Sequence, residues 1–181
     1  MKVFPDDDEI FQLVQSGADK DKGYRLLIGK YKEKLYWHIR RMIEDHDDAD
    51  DVLQNTFLKV VKYLGQFQQQ SSLYTWMYKI ATNECLNFIQ NAKNRRHESM
   101  DNSAVYYLKS QESTDGDLAL NKLDEAIHLL PEKQKLVFNL RYYDEMSYQQ
   151  ISDITDTSVG ALKASYHLAV KKIEEHIKSS L

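Results

Sequence analysis

From Ile10 to about Asn94 apolar residues recur at three- and four-residue intervals, the period of helices that each bury one side. Leu26, Leu27, Tyr31, Leu35, Ile39 and Met42 fall on one such face, and the interleaved Lys30, Lys32, Lys34, Arg40 and Arg41 make a solvated one. An acidic run follows from Glu44 to Asp51, and carboxylates there suit the start of the next helix, where the peptide dipoles leave partial positive charge. That helix carries Val52, Leu53, Phe57, Val60, Val61 and Leu64. The period fails at Gly65-Gln66-Phe67-Gln68-Gln69-Gln70-Ser71-Ser72, which reads as a loop. It resumes in a third long helix from about Leu73 to Gln90, followed by the basic group Lys93, Arg95 and Arg96.

Residues 97–116 are polar, net acidic and without periodicity, and read as a flexible linker. The helical pattern returns from Asp117 with Leu120, Leu123, Ile127 and Leu130. Pro131 is then expected at the first position of a helix that turns Leu136, Val137 and Leu140 inward. Ser147-Tyr148-Gln149-Gln150 has the form of a capping box. The helix it starts ends near Ile154, and after the turn Thr155-Asp156-Thr157, Ser158 caps a final helix to about Ile177. Two helices so joined have the layout of a helix-turn-helix, and equally of a plain helical hairpin.

The chain has 181 residues, enough for one domain or two small ones. Six glycines and two prolines leave few helix breakers, and the lone Cys85, amid apolar neighbours, reads as a core residue. No cysteine–histidine cluster has zinc spacing, and no His-x-x-x-His pair, glycine-rich phosphate loop or nucleophile motif suggests an enzyme. No cofactor is implied. The N-terminus lacks the apolar core of a signal peptide and no apolar run approaches a membrane span, so a cytoplasmic protein without membrane insertion is expected. A net charge of −4 argues against a generic polyanion binder, whose footprint is basic.

At these residues the chain resembles the extracytoplasmic-function sigma factors, two-domain initiation subunits of bacterial RNA polymerase. The resemblance rests on Asp50-Asp51-Val52-Leu53-Gln54-Asn55-Thr56-Phe57, then Phe67, then Thr75-Trp76 with Ile80-Ala81-Thr82-Asn83. In the second half it rests on Leu130-Pro131, Ser147-Tyr148-Gln149-Gln150-Ile151 and Val159-Gly160-Ala161-Leu162-Lys163. It implies an all-α fold of two small helical domains joined by a flexible linker. Residues 1–96 would be the region 2 domain, 97–116 the linker, and 117–181 the region 4 helix-turn-helix domain. The implied partners are core polymerase, through the clamp helices of its largest subunit, promoter DNA, and an anti-sigma factor.

Carried over, core-polymerase binding falls to Asp50, Asp51, Gln54, Asn55 and Leu58. The loop Phe67 to Ser72 would receive a flipped base of the minus-ten element. Gln68, Gln69, Ser71 and Ser72 would meet its edge, and Asn83 would add a polar partner. Amides and hydroxyls suit a base edge, which offers donors and acceptors, once the base has left the stack. Trp76 and Tyr78 have faces for stacking, but Trp76 is expected buried, with Tyr74, Lys79 and Asn83 nearer the DNA. Lys79, Arg95 and Arg96 would meet phosphates. The family commonly places arginine and glycine after the phenylalanine; here Gln68 and Gln69 stand.

The implied minus-thirty-five readers are Ser158, Lys163, Ser165, Tyr166, His167 and Lys171, with Lys172 on phosphate or solvent. Where the family's recognition helix has arginines, Ser165, Leu168 and Val170 appear, a variant resembling the type common in Bacteroidetes. An extended linker of this length reaches at most roughly 70 Å, close to the span of two duplex turns. The alternative is a stand-alone helix-turn-helix regulator whose N-terminal helices dimerise or sense a ligand. It predicts a basic recognition helix, which this chain lacks.

Overall fold

The computed structural model describes residues 4–17, 19–98 and 115–179. Among them all regular structure is helical, and it divides into two compact units. The first is built on α1 (Asp7–Gln15), α2 (Lys20–Arg40), α3 (His46–Tyr63) and α4 (Leu73–Glu98), and the second on α5 (Asp115–His128), α6 (Glu132–Tyr142), α7 (Tyr148–Thr155) and α8 (Val159–Ser179).

The period that begins at Ile10 is broken between Val14 and Tyr24 by a polar stretch that the helical reading ran through. Asp6 caps α1 by accepting from the Glu9 amide at 2.7 Å, and Gly17 at φ +72° turns the chain back before Asp19 caps α2. α1 then lies against α2 so closely that a Cβ at Gly23 would stand 2.6 Å from Val14 Cγ2. At its other end the Asp7 carboxylate accepts from Lys30 Nζ at 2.7 Å and from the Tyr31 hydroxyl at 2.6 Å. Ile10, Phe11 and Val14 are buried, as are Leu27, Tyr31, Leu35 and Ile39 of α2 and Met42 after it, whereas Leu26 is only half-buried.

The acidic run starts α3 as expected, with the Asp45 carboxylate accepting from the amides of Asp47 and Asp48. α3 buries Ala49, Val52, Leu53, Thr56 and Val60. A short 3₁₀ turn, Leu64–Gln66, leads into the loop before α4. That helix runs to Glu98 rather than ending near Gln90, since good helix formers continue beyond the last buried position. The central part of the expected linker, 99–114, lies outside the described residues.

In the second unit Ala126, Ile127, Leu130, Phe138, Ala169 and Ile173 form the core in which α5, α6 and α8 meet. Leu136, Val137 and Leu140 are buried as expected, and Leu123 is half-buried. Pro131 caps α6 from outside instead of occupying its first turn, its carbonyl accepting from Gln134 and Lys135. The capping box at α7 is complete: Ser147 N–H donates to Gln150 Oε1 at 2.9 Å, and Gln150 N–H to Ser147 Oγ at 3.2 Å. Asp156 at φ +51° closes the turn into α8, the left-handed geometry that ends many helices.

Candidate functional site

The outward side of α3 is a continuous stripe. Asp47, Asp51, Gln54, Leu58 and Val61 recur at spacings of four and three, so their side chains stack along one face, and all are exposed. Asn55 is exposed beside the stripe, as is Asp50, whose Oδ2 lies 3.7 Å from His46 Nε2. Leu58 is 62 % exposed, although the opposite side of α3 already carries the core contacts. Val61, grouped with the apolar residues in the sequence, shares this outer face; its distance of three from Leu58 and its place outside the run Val52, Leu53, Thr56, Val60 carried that signal.

The loop after α3 hangs on its one aromatic residue. Phe67 is half-buried, its ring edge-on to Phe11 of α1 at 5.6 Å and 5.1 Å from Trp76 of α4. Gln15 Nε2 donates to the Gly65 carbonyl at 3.4 Å. Beyond Phe67 the side chains of Gln68, Gln69 and Gln70 are exposed, and Gln70 Nε2 donates to Gln68 Oε1 at 3.0 Å. Gln69 has φ +55°, the left-handed region that glycine enters without cost. Ser71 Oγ donates to the Ser72 carbonyl at 3.3 Å, while the Ser72 hydroxyl accepts from the Thr75 amide at 3.1 Å and so starts α4.

Along α4, Trp76, Lys79 and Asn83 share one side by their spacings of three and four, with Asn83 exposed and the other two half-buried. Trp76 is therefore less enclosed than expected: the helix turns it toward Phe67 rather than into the helix-packed interior. Tyr74 lies on the other side of the helix. Its ring is 4.5 Å from Tyr78 and 6.1 Å from Tyr31, with Lys34 Nζ 5.7 Å over its face. Tyr78 is buried and donates to the Lys34 carbonyl at 3.4 Å, so it offers no face for stacking. Thr82 is likewise internal, 3.0 Å from Nε2 of the buried His38. Arg95 is exposed; the side chain of Arg96 lies outside the described residues.

Among the described residues, three protonation equilibria are displaced. Burial, with Glu84 adjoining, pushes the Cys85 thiol up to about 12. Burial and the hydrogen bond to Asp7 raise the Tyr31 hydroxyl, and burial together with Tyr148 raises that of Tyr166.

In the second unit the α8 residues divide by face. Leu162, Ala169 and Ile173 are buried. Tyr166 joins them: its ring is nearly parallel to Phe138 at 5.9 Å and edge-on to Tyr148 at 6.4 Å. Ser165, beside Tyr166, is half-buried. Lys163, His167, Lys171 and Lys172 are exposed, with Lys163 Nζ 5.9 Å over the Tyr148 ring and Lys171 3.8 Å from Glu175. Ser158 Oγ accepts from the Ala161 amide at 3.4 Å, at the start of the helix. Ala164 and the 47 %-exposed Leu168, not singled out from the sequence, lie on the outer side with His167. The helical register separates Tyr166 from this face, while the half-buried Ser165 borders it, three residues from Leu168 and four from Ala161.

Among the described residues no group of acidic, histidine and cysteine side chains could hold a metal ion, and no helix is long and apolar enough to cross a membrane. The model of sigma-70 region 2 matches residues 27–95, and that of sigma-70 region 4 matches 120–173. The RNA polymerase sigma-H factor of Pseudomonas aeruginosa is 29% identical, over 97% of this chain and 95% of its own. The ECF RNA polymerase sigma-E factor of Haemophilus influenzae is 30% identical over 95% of each chain. Among solved structures, CnrH in complex with the cytosolic domain of CnrY superposes with a TM-score of 0.73 at 17% identity, covering 97% of this chain and 99% of that one. The sigma factor RpoE of Bartonella quintana, in complex with the anti-sigma factor NepR, gives 0.70 at 23%, covering 87% and 98%. With both regions matched in order and a near-full-length relative at this identity, the chain belongs to the extracytoplasmic-function (ECF) family of RNA polymerase sigma factors.

Proposed function

We propose that the first unit binds core polymerase through the outer face of α3 and holds a flipped minus-ten base at the loop 67–72, while α8 enters the major groove of the minus-thirty-five element. The observation that carries this reading is the α3 stripe: Leu58 and Val61 stand in water among Asp51, Gln54 and Asn55, on a helix whose inner face is already filled. Exposed apolar side chains rimmed by polar ones suit a protein partner. Asp50, Asp51, Gln54, Asn55 and Leu58 contact the clamp helices of the largest subunit, and Val61 extends the patch.

At the loop, the exposed amides of Gln68 and Gln69 meet the edge of the base, with Trp76, Lys79 and Asn83 along the adjoining side of α4. Phe67 and Ser72 shape the pocket from behind, Ser71 borders it, and Tyr74 supports it through Tyr31 and Tyr78. Arg95 and Arg96 take phosphates. Ser158, Lys163, Ser165, His167 and Lys171 serve the distal duplex; Tyr166 acts from inside, by holding α8 in place.

The protein works in the cytoplasm as a binding subunit, not an enzyme, and its recognition helix is of the Bacteroidetes-like type. The complex of RpoE with NepR supports an anti-sigma factor as a further partner. A stand-alone regulator is the second reading. Mixing the purified chain with core polymerase and mapping transcript start sites tests between them: the sigma reading requires new, chain-dependent starts, and a regulator acting alone gives none.

A further inference from the structure

Between Thr157 and Ile173 the chain has no acidic residue, although its net charge is −4. This stretch is the turn into α8 and most of that helix. Its inner face is committed to the core by Leu162, Tyr166, Ala169 and Ile173. The outer face presents Ala161, Ala164 and Leu168, spaced three and four apart and all exposed, so that they line up as an apolar stripe. Lys163 and His167 border it on one side, and Lys171 follows one turn beyond His167 and two beyond Ala164. Nothing lies within 4 Å of where a Cβ at Gly160 would be, which leaves the first turn open to close approach.

A helix that must read duplex with this face has few groups able to hydrogen-bond base edges. Lysine and histidine can meet the acceptors of guanine and other purines in the major groove, but alanine and leucine can only make apolar contact there. The one apolar feature of a major-groove edge is the 5-methyl group of thymine. The surrounding lysines suit the flanking phosphates, which favours duplex DNA over an apolar peptide as the occupant.

We infer that α8 reads its duplex element through thymine 5-methyl groups contacted by Ala164 and Leu168, with Lys163 and His167 on purine acceptors beside them. The inference deepens the proposed role of α8 in minus-thirty-five recognition and rests on it. It replaces Tyr166 as a reader, because the structure turns that ring onto the core beside Phe138.

The test uses holoenzyme assembled from the full chain and core polymerase. It selects binders from duplexes carrying a fixed minus-ten element and a randomised upstream segment. The wild-type chain enriches an element containing thymine, and replacing that thymine by deoxyuridine, which lacks only the methyl, weakens binding about fourfold per methyl contacted. Leu168→Ala abolishes the deoxyuridine penalty at one position, and Leu168→Arg shifts that position toward guanine. Because Leu168 is exposed, melting temperatures of these variants stay near wild type, so lost selectivity is not lost folding. Equal binding of thymine and deoxyuridine by the wild type overturns the inference while leaving the sigma assignment standing. So does a Leu168→Ala holoenzyme that enriches the same element with the deoxyuridine penalty intact. Failure of wild-type holoenzyme to enrich any upstream element removes the minus-thirty-five role and the inference with it.

Discussion

Phe11 meets Phe67 edge-on, ring centroids 5.6 Å apart, so the loop proposed to take the flipped base is propped by the first helix of the chain. An edge-to-face aromatic pair is worth about 0.5–1.5 kcal/mol beyond the area it buries. Phe11→Leu keeps most of the buried volume and removes the pair. Promoter opening, read as permanganate reactivity of unpaired thymines, falls severalfold while co-purification with core polymerase persists. Undiminished reactivity would show that the loop holds its shape without the prop.

The α3 face separates binding from stability. Replacing Asp51, Gln54 and Leu58 together by alanine removes exposed side chains, and each such change usually shifts stability by less than about 0.5 kcal/mol. Thermal melting therefore stays within a few degrees of wild type, whereas assembly with core polymerase is lost. A triple variant that still assembles normally assigns the contact to another surface.

Cys85 predicts an alkaline slope in stability. Its folded-state pKa lies above its reference value of 9.0, at about 12, so between these limits the folded chain holds a proton that the unfolded chain has released. Stability is full below pH 9 and declines as pH rises toward 12, by up to about 1.4 kcal/mol per pH unit from this group. Chemical denaturation of wild type and Cys85→Ala across pH 8–11 measures it: the variant has the shallower decline, and parallel curves would show the thiol to be less enclosed. The same burial makes the thiol slow to alkylate until the chain is unfolded.

Charge sets the condition for DNA binding. With a net −4, the free chain has little counterion release to draw on, the term that supplies most non-specific affinity. Extruding a base costs a few kcal/mol more. In a filter or polarisation assay at physiological salt, the isolated chain retains promoter duplex no better than random duplex, and core polymerase confers specific binding. Tight, sequence-specific retention by the chain alone would favour the stand-alone regulator.

Much of the architecture was legible because helices leave a strong periodic trace. The capping box at Ser147 and Gln150, the acidic start of α3 and the buried run Leu27, Tyr31, Leu35, Ile39 all stand where the pattern put them. The break between α1 and α2 was legible but missed: the polar stretch from Gln15 to Gly23, with Gly17 and the capping Asp19 inside it, interrupts the apolar spacing. Site residues were harder. Type and motif position pointed equally to Tyr74 and Asn83, or to Tyr166 and His167, and only the helical register separates the partner of each pair that faces inward. Leu168 was passed over because a leucine in a helix is ordinarily core; here the core had already been completed by its neighbours Leu162, Tyr166, Ala169 and Ile173. Gln69 shows the reverse, a glutamine in the left-handed backbone that glycine enters without cost, which residue type did not announce.

Helix α1 lies wholly outside residues 27–95, the segment that matches region 2, yet it seats against Gly23, anchors through Asp7 and reaches the loop through Phe11 and Gln15. The smallest piece of this chain able to stand as an independent first domain is therefore larger than the segment that matches region 2. An expression fragment trimmed to begin at Leu27 would discard Ile10, Phe11 and Val14 and bare the α2 surface they cover. Such a fragment would be prone to associate through that surface, and failures of promoter opening in it would report a missing scaffold, not a missing contact with DNA.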